Sequence, residues 1–392
     1  MNHPDLPPML LDVSRLLWRA WRGQAMTGID RACLAYVEHY QDRARAVVQR
    51  GGFTYVLGME HSRRLFALLL DRPVGFRGRV VRLLVGSVFA HVAGLASLPG
   101  ASYINVGHTG LDRPGHARWV RRTGVRAIYY VHDLIPISHP RFARAGEPER
   151  HARRMTTVLK CATGVIANSR DTVDALERFA GLHDLPMPPS HCAPLGLSKV
   201  QCAGDATRPY AKPYFIIVGT IEGRKNHLLL LNVWRDLVQR HGQNAPTLVI
   251  IGQRGWAAEN VTHLLDNDAA LRAHIVELGR CDDAQLGQYM MHAQALLFPS
   301  FVEGQGLPLI EALDAGTPVI ASDLAVFRET AGNIPEYLDP HDKQIWADAV
   351  MEYSAADSVR RQAQIVRLEG FHAPDWSGHF AAVESWLRRY FS

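Results

Sequence analysis

Short runs of almost unbroken apolar residues alternate along this 392-residue chain with longer stretches whose apolar positions recur every three or four residues. The first pattern suits strands buried on both faces of a parallel sheet, and the second suits amphipathic helices packed over them. In the first half the strand-like runs are MLLDVS (Met9 to Ser14), SYINVG (Ser102 to Gly107), RAIYYVHD (Arg126 to Asp133) and GVIANS (Gly164 to Ser169). The second half repeats the plan with YFIIVGT (Tyr214 to Thr220), TLVIIG (Thr247 to Gly252), HIVELG (His274 to Gly279), ALLFPS (Ala295 to Ser300) and TPVIASD (Thr317 to Asp323). This alternation predicts an α/β chain of two β/α domains, 1–205 and 213–370. Their boundary falls in SKVQCAGDATRPYAKP, Ser198 to Pro213, which is polar and has no clear period. Segment 371–392 closes the chain as a helix that docks back on the first domain, with Phe380, Val383, Trp386 and Leu387 on its apolar face.

Composition narrows the class. With 47% hydrophobic and 21% charged residues and no low-complexity tract, the chain reads as soluble and globular. Its five cysteines are scattered and never form a CxxC pair, which argues against a disulfide framework or a structural zinc site and fits the cytoplasm. The opening residues lack a secretory pattern, and the longest apolar segment, Leu83 to Leu98, falls short of a membrane span. The net charge of +5 hides an asymmetry: residues 1–200 hold 27 Lys plus Arg against 15 Asp plus Glu, while the remainder is acidic. The basic half therefore points to an anionic partner, whether a membrane surface, a phosphorylated acceptor or nucleic acid. Arg63 to Leu84 mixes Arg with Leu, Phe and Val, as interfacial helices and ordinary amphipathic surface helices both do.

The candidate chemistry concentrates after strands of the second half. In FVEGQGLPLIEALDAGTPVIASD, Phe301 to Asp323, Glu303 comes just after a strand, and a helix begins near Leu307 or Pro308. Gly304 and Gly306 let backbone amides approach a ligand, and the helix start adds free amides with a partial positive charge. That combination is a phosphate cradle. Glu303 and Glu311 flank it, and each carboxylate offers two acceptor oxygens to vicinal sugar hydroxyls. A glycine-rich turn with a solvated and a capping glutamate is the plainer alternative. Between Val218 and His227, a strand delivers Thr220, Glu222, Arg224, Lys225 and Asn226 to the same sheet edge. Arg224 and Lys225 suit a departing diphosphate, because fixed cations favour a transition state that gains negative charge; solvated side chains at a helix start are the alternative. His132 and Asp133 end an apolar strand; the imidazole suits a sugar hydroxyl, and Asp133 suits a cap on the next turn.

The segment FPSFVEGQGLPLIEALDAGTPVIASD closely resembles the donor-binding signature of retaining glycosyltransferases of family 4, and VGTIEGRKNHLLLL, GVIANS and YVHDLIPI keep that family's order over most of the chain. The resemblance implies a GT-B fold, in which two Rossmann-like domains face a central cleft. It implies that Glu303 contacts the donor sugar, that Glu311 contacts the nucleotide ribose, and that amides from Gly304 to Leu307 hold the diphosphate. Lys225 matches the family's lysine. Thr220 stands where many members carry arginine, which leaves Arg224 to supply the second cation. By the same likeness Thr27, Gly28 and Arg31 approach the donor phosphates or the acceptor, a string that a helix start explains equally well. His132 and Asp133 lie on the acceptor side, and Arg280 and Cys281 lie against the nucleobase.

The resemblance thus implies a retaining hexosyltransferase that uses a nucleoside diphosphate sugar, GDP-mannose preferred, with no metal and no cofactor. Its acceptor would be a glycan, carried on a polyprenyl diphosphate at the inner face of an anionic membrane, with no role for nucleic acid. Asp266 to Asp268, DND, resembles a metal-binding acidic pair but lies in a polar helical stretch. A sugar nucleotide epimerase of the same fold and a non-catalytic sugar-nucleotide binder are the alternatives.

Overall fold

A computed structural model of the chain describes residues 8–91, 98–197 and 207–391. Residues 198–206 of the expected linker, Cys202 among them, and part of the apolar Leu83 to Leu98 segment lie outside the described residues. Two compact units emerge. One holds the residues up to Ile137, Gly146–Leu195 and those from Trp376 onward; the other holds Ser138–Ala145 and residues from Gly196 to Asp375. The hydrophobic pattern does not separate Ser138–Ala145 from the first half.

The first unit contains strands β1 (Met9–Asp12), β2 (Ala44–Arg50), β3 (Phe53–Val56), β4 (Ser102–Asn105), β5 (Arg126–Val131), β6 (Gly164–Ala167) and β7 (Ser190–Cys192). They lie in the order β3-β2-β1-β4-β5-β6-β7. All neighbours are parallel except β2 and β3, a hairpin turned at Gly51 and Gly52, both with positive φ. The apolar runs do not reveal β2, β3 or β7. β2 interleaves arginines with its valines, β3 is partly exposed, and β7 carries half-buried polar residues at the sheet edge.

In the second unit β8 (Tyr214–Val218), β9 (Thr247–Ile251), β10 (Ile275–Leu278), β11 (Leu296–Phe298), β12 (Val319–Ser322) and β13 (Glu336–Leu338) form one parallel sheet, ordered β10-β9-β8-β11-β12-β13. Both faces are covered. Phe215 and Ile217 join one apolar cluster, and Tyr214, Ile216 and Val218 join the other, which explains why β8 reads as an unbroken apolar run. Burial of each such side chain contributes roughly 1.5–3 kcal/mol. Chain order reverses between β1 and β4 in one sheet and between β8 and β11 in the other. In open α/β sheets such a reversal marks the carboxyl edge at which ligands bind.

The stretch from Arg63 to Leu84 is two helices, Met59–Asp71 and Phe76–His91, separated at Arg72 and Gly75, which take φ of 44° and 76° around Pro73. Among the described residues no helix is long and apolar enough to cross a membrane.

Helix Trp376–Phe391 packs within the first unit. Phe380, Val383, Trp386 and Leu387 are buried, as its apolar stripe requires. The Phe380 ring stacks on His39 at 3.9 Å and meets Tyr36 edge-on at 5.0 Å. Glu384 accepts from His39 at 2.8 Å and pairs with Arg43. His379 donates through Nδ1 to the Pro194 carbonyl and accepts at Nε2 from the Tyr36 hydroxyl. Phe380→Ala is expected to destabilise the first unit by about 3–5 kcal/mol in urea unfolding; a change below about 1 kcal/mol would show that this helix is not part of its core.

Candidate active site

Glycines allow close packing around the loop after β8 and a tight turn in the loop after β11. A Cβ on Gly252, at the end of β9, would stand 1.9 Å from the Gly219 carbonyl oxygen, and one on Gly219 (φ 133°) would stand 3.2 Å from Lys225 Cε. Gly306 precedes helix Leu307–Asp314 with φ of 84°, and its Cβ would stand 2.6 Å from Phe327 Cε1. Only glycine meets both demands there. Pro308 lies in the first turn of that helix. The Phe301 amide donates to the Arg224 carbonyl at 2.8 Å, which stitches one loop to the other.

At this seam four charged side chains meet. Glu303 Oε1 takes Lys225 Nζ at 2.6 Å and the Ser300 hydroxyl at 2.8 Å, while Oε2 takes Arg224 Nη1 at 2.7 Å. Arg224 Nε reaches back to Glu222 Oε1 at 2.6 Å, and its Nη1 also donates to the Val302 carbonyl. Lys225 Nζ lies 4.3 Å from the centre of the Phe298 ring. Glu222, Lys225 and Glu303 are buried. Burial alone would raise the Glu303 carboxyl, but Arg224 and Lys225 hold it down to about 2, so it is ionised at neutral pH. Burial lowers Lys225 against the opposing pull of Glu303, and burial raises Glu222 against Arg224 and Lys225. A carboxylate offers about four lone-pair sites, so Glu303 retains acceptor capacity beyond the three bonds named.

The sequence pattern identifies Glu303, Arg224 and Lys225, and the fold brings these three together. It does not reveal Ser300, or that Arg224 is shared between two carboxylates, and it places Glu222 without giving it a role. Thr220 is half-buried in the loop after β8, and its methyl limits Gly255, whose Cβ would stand 2.5 Å from Thr220 Cγ2. Gly304 and Leu307 are half-buried and Gly306 is buried, in line with Glu311 on the first turns of the helix, also buried. His227, first residue of helix His227–His241, is buried beside Lys225 with neither ring nitrogen hydrogen-bonded among the described residues. Burial, then the Lys225 charge, holds it neutral, down to about 3.

Arg280 and Cys281 come after β10, the outer strand, two places from β8; Arg280 is exposed and Cys281 half-buried. The DND acids are committed elsewhere. Asp266 takes Arg254 through two bonds of 2.7 and 2.9 Å, and Asp268 lies past the end of helix Glu259–Asn267, where it caps Ala270 and Leu271 and meets Arg235. Both acids are thus paired with arginines.

In the first unit, Thr27 caps helix Gly28–Tyr40 through a capping box with Asp30, so the TGID string is a helix start, with Gly28 its first residue and Arg31 exposed on its first turn. Asp30, buried, gathers Arg15 and Arg19 at 2.8 Å each, and Arg15 also donates to the Thr27 hydroxyl. Arg15 packs against the loop after β4, where a Cβ on Gly107 would stand 2.7 Å from it. His132 is buried after β5 and donates through Nε2 to the Val106 carbonyl at 2.8 Å. Burial holds it down to about 4, so at neutral pH it is an uncharged ring presenting Nδ1 as an acceptor. Asp133 Oδ1 accepts from the Ile135 amide at 3.0 Å, the expected turn cap. His108 (φ 57°) and His151, which no sequence motif singles out, flank this site and donate to the Tyr130 and Asp133 carbonyls.

Comparison with known proteins agrees with this geometry. Residues 205–364 match the family model described as Glycosyl transferases group 1. The chain is 30% identical over 256 residues to the serotype-specific mannosyltransferase WbdA of Escherichia coli, covering 60% of this chain and 31% of that protein. It is 30% identical over 179 residues to O-antigen chain mannosyltransferase B of Escherichia coli, covering 46% of this chain and 44% of the relative. The chain thus spans less than half the length of these two relatives. HepE of Anabaena, solved in complex with UDP and glucose, superposes with a TM-score of 0.67 at 15% identity, over 97% of this chain and 99% of that one, a likeness of fold. The matched segment spans both loops of the charged seam and resembles the group 1 glycosyl transferases, and the two sheets share the GT-B fold of HepE.

Proposed function

We propose that this chain transfers a hexose from a nucleoside diphosphate sugar to a glycan acceptor with retention of configuration, in the synthesis of a surface polysaccharide. The observation that carries the reading is the seam between the loops after β8 and β11, where Glu303 is held ionised beside Lys225 and Arg224 and a helix starts just past Gly306. Glu303 takes donor-sugar hydroxyls, Glu311 the ribose, and the amides from Gly304 to Leu307 the diphosphate. As the bond from the anomeric carbon to the diphosphate oxygen breaks, its electron pair passes to the diphosphate, whose added charge Lys225 and the helix start stabilise. The acceptor oxygen bonds the same carbon from the same face, and its proton passes to the departing phosphate. No metal ion is assigned a step. The names of two relatives, a serotype-specific mannosyltransferase and an O-antigen chain mannosyltransferase, support mannose as the hexose and a glycan as the acceptor, for which GDP-mannose and a lipid-linked glycan are proposed. His132 serves the acceptor side through Nδ1, and Thr27, Gly28 and Arg31 remain candidates there; Arg280 and Cys281 are proposed near the base.

A groove of about 570 Å³ on helices Met59–Asp71 and Phe76–His91, lined by Arg64, Arg79, Arg82, Leu68 and Leu83, supports contact with an anionic membrane. Val81 and Val85 are exposed on the second of these helices and Val74 in the turn between them. Arg77 is tied to the Trp21 carbonyl, so the informative pair is Arg79 and Arg82. Arg79→Glu with Arg82→Glu is expected to weaken binding to phosphatidylserine vesicles at low salt at least about tenfold, roughly 1 kcal/mol per charge removed with the reversal adding more; unchanged binding would remove the membrane assignment.

With GDP-mannose and a mannan acceptor, Lys225→Ala and Glu303→Gln are each expected to lower transfer about a hundredfold while the circular dichroism of the fold is kept. Full activity in both would refute the assignment, and donor altered without any acceptor would favour an epimerase. Since Glu303 ionises at about 2 and His132 at about 4, both hold one protonation state above pH 5. The rate of transfer should therefore show no inflection near 6.5 that His132→Asn abolishes; such an inflection would contradict the neutral, carbonyl-tethered ring.

A further inference from the structure

We propose that Phe142 is a positioning residue for the Arg224–Glu303 pair, acting on the seam where the loops after β8 and β11 meet. The inference rests on the reading of Glu303 as a donor-sugar contact. Ser138–Ala145 comes after β5 of the first unit in the chain yet packs within the second. Its Pro140–Phe142 forms one tight helical turn, closed by the Phe142 amide on the His139 carbonyl and the Ala143 amide on the Pro140 carbonyl. Phe142 then lies parallel to Phe301, with ring centres 5.5 Å apart and planes 9° apart.

The same ring abuts the other loop. A Cβ on Gly223 would stand 3.2 Å from Phe142 Cδ1 and 2.8 Å from the Ala257 carbonyl oxygen, so a residue without a side chain precedes Arg224 where the ring is seated. Phe142 therefore touches the neighbour of Arg224 on one side and, through Phe301, the loop two residues before Glu303 on the other. The Phe301 amide on the Arg224 carbonyl lies between them. His341 packs at 5.2 Å from Phe301.

The turn itself is fixed in place. Trp256 Nε1 donates to the Phe142 carbonyl at 2.9 Å, the Arg141 guanidinium lies over the Phe142 and Phe301 rings at 4.6 and 5.7 Å, and Arg144 lies over Trp256 at 4.4 Å. Stacked and cation–π contacts of this kind together hold a short segment in one geometry. The ion pairs named above join the four charged groups to one another. The effect of the Phe142 ring on them passes through backbone position, and a displacement of about 1 Å at a reacting centre is able to cost about a hundredfold in rate.

The test compares Phe142→Ala, Phe142→Leu and Phe142→Tyr in the full chain by hydrogen exchange and by transfer from GDP-mannose, alone and with Glu303→Gln. Phe142→Ala is expected to speed exchange in both 222–226 and 300–306, and to lower kcat about tenfold or more while KM for GDP-mannose changes less than about threefold. That loss should largely vanish in the Glu303→Gln background, and Phe142→Tyr, which keeps the ring, should restore the rate. Phe142→Leu keeps apolar contact without the stack and covers the case in which the alanine variant does not fold. Unchanged exchange in either loop, or the same fold-loss with and without Glu303, would overturn the proposal. A wild-type chain inactive with GDP-mannose would count against the proposed donor or function, and the exchange comparison would still decide whether Phe142 braces the seam.

Discussion

Glu303 is a buried carboxylate held by two cations that arrive from a different strand. Removing such a charge from water costs several kcal/mol, and the cost is offset only if its partners are close and correctly aimed. Arg224 and Lys225 meet that demand only when the loops after β8 and β11 lie side by side. The parallel order that sets β8 against β11 is what makes them neighbours, although 70 residues and more separate them along the chain. Glycines at 219, 252 and 306 then leave room for the Lys225 side chain, for the end of β9 against the Gly219 carbonyl and for the Phe327 ring. Fold, glycine placement and ion pairing are one constraint seen at three scales.

The two sheets share the same reversal of strand order and use it differently. In the second unit the reversal gathers equal numbers of acidic and basic groups, Glu222 and Glu303 with Arg224 and Lys225. In the first it gathers arginines around Asp30 and three neutral histidines whose Nε2 atoms donate to backbone carbonyls. Such tethering fixes the tautomer, so these rings orient hydrogen bonds and do not act as charges near neutral pH. The surplus of basic residues in the first half shows on the surface instead, in the arginine-lined groove.

Much of this is legible in the residues because the physics involved is local. β8, β9, β11 and β12 are buried on both faces and so read as apolar runs, and the EGQGLP stretch announces a helix start by composition alone. The features that stay hidden depend on partners distant in sequence. β2 carries arginines that a central strand tolerates only because their heads reach outward, as when Arg45 Nε finds the Leu57 carbonyl. The stretch from Arg63 to Leu84 breaks at Arg72, which takes a left-handed conformation that a hydrophobic period cannot reveal. Phe142 shows nothing in SHPRFARA; only the packing of that turn on Gly223 and Phe301 gives it a role.

The most direct test of the central claim is a crystal structure of the chain with GDP bound. The account predicts the diphosphate on the amides between Gly304 and Leu307, within hydrogen-bond reach of Lys225, with Glu311 on the ribose hydroxyls and Glu303 beyond the terminal phosphate, where the sugar would sit. A nucleotide seated elsewhere, or one at this helix start with Lys225 and Glu311 both turned from it, would contradict it.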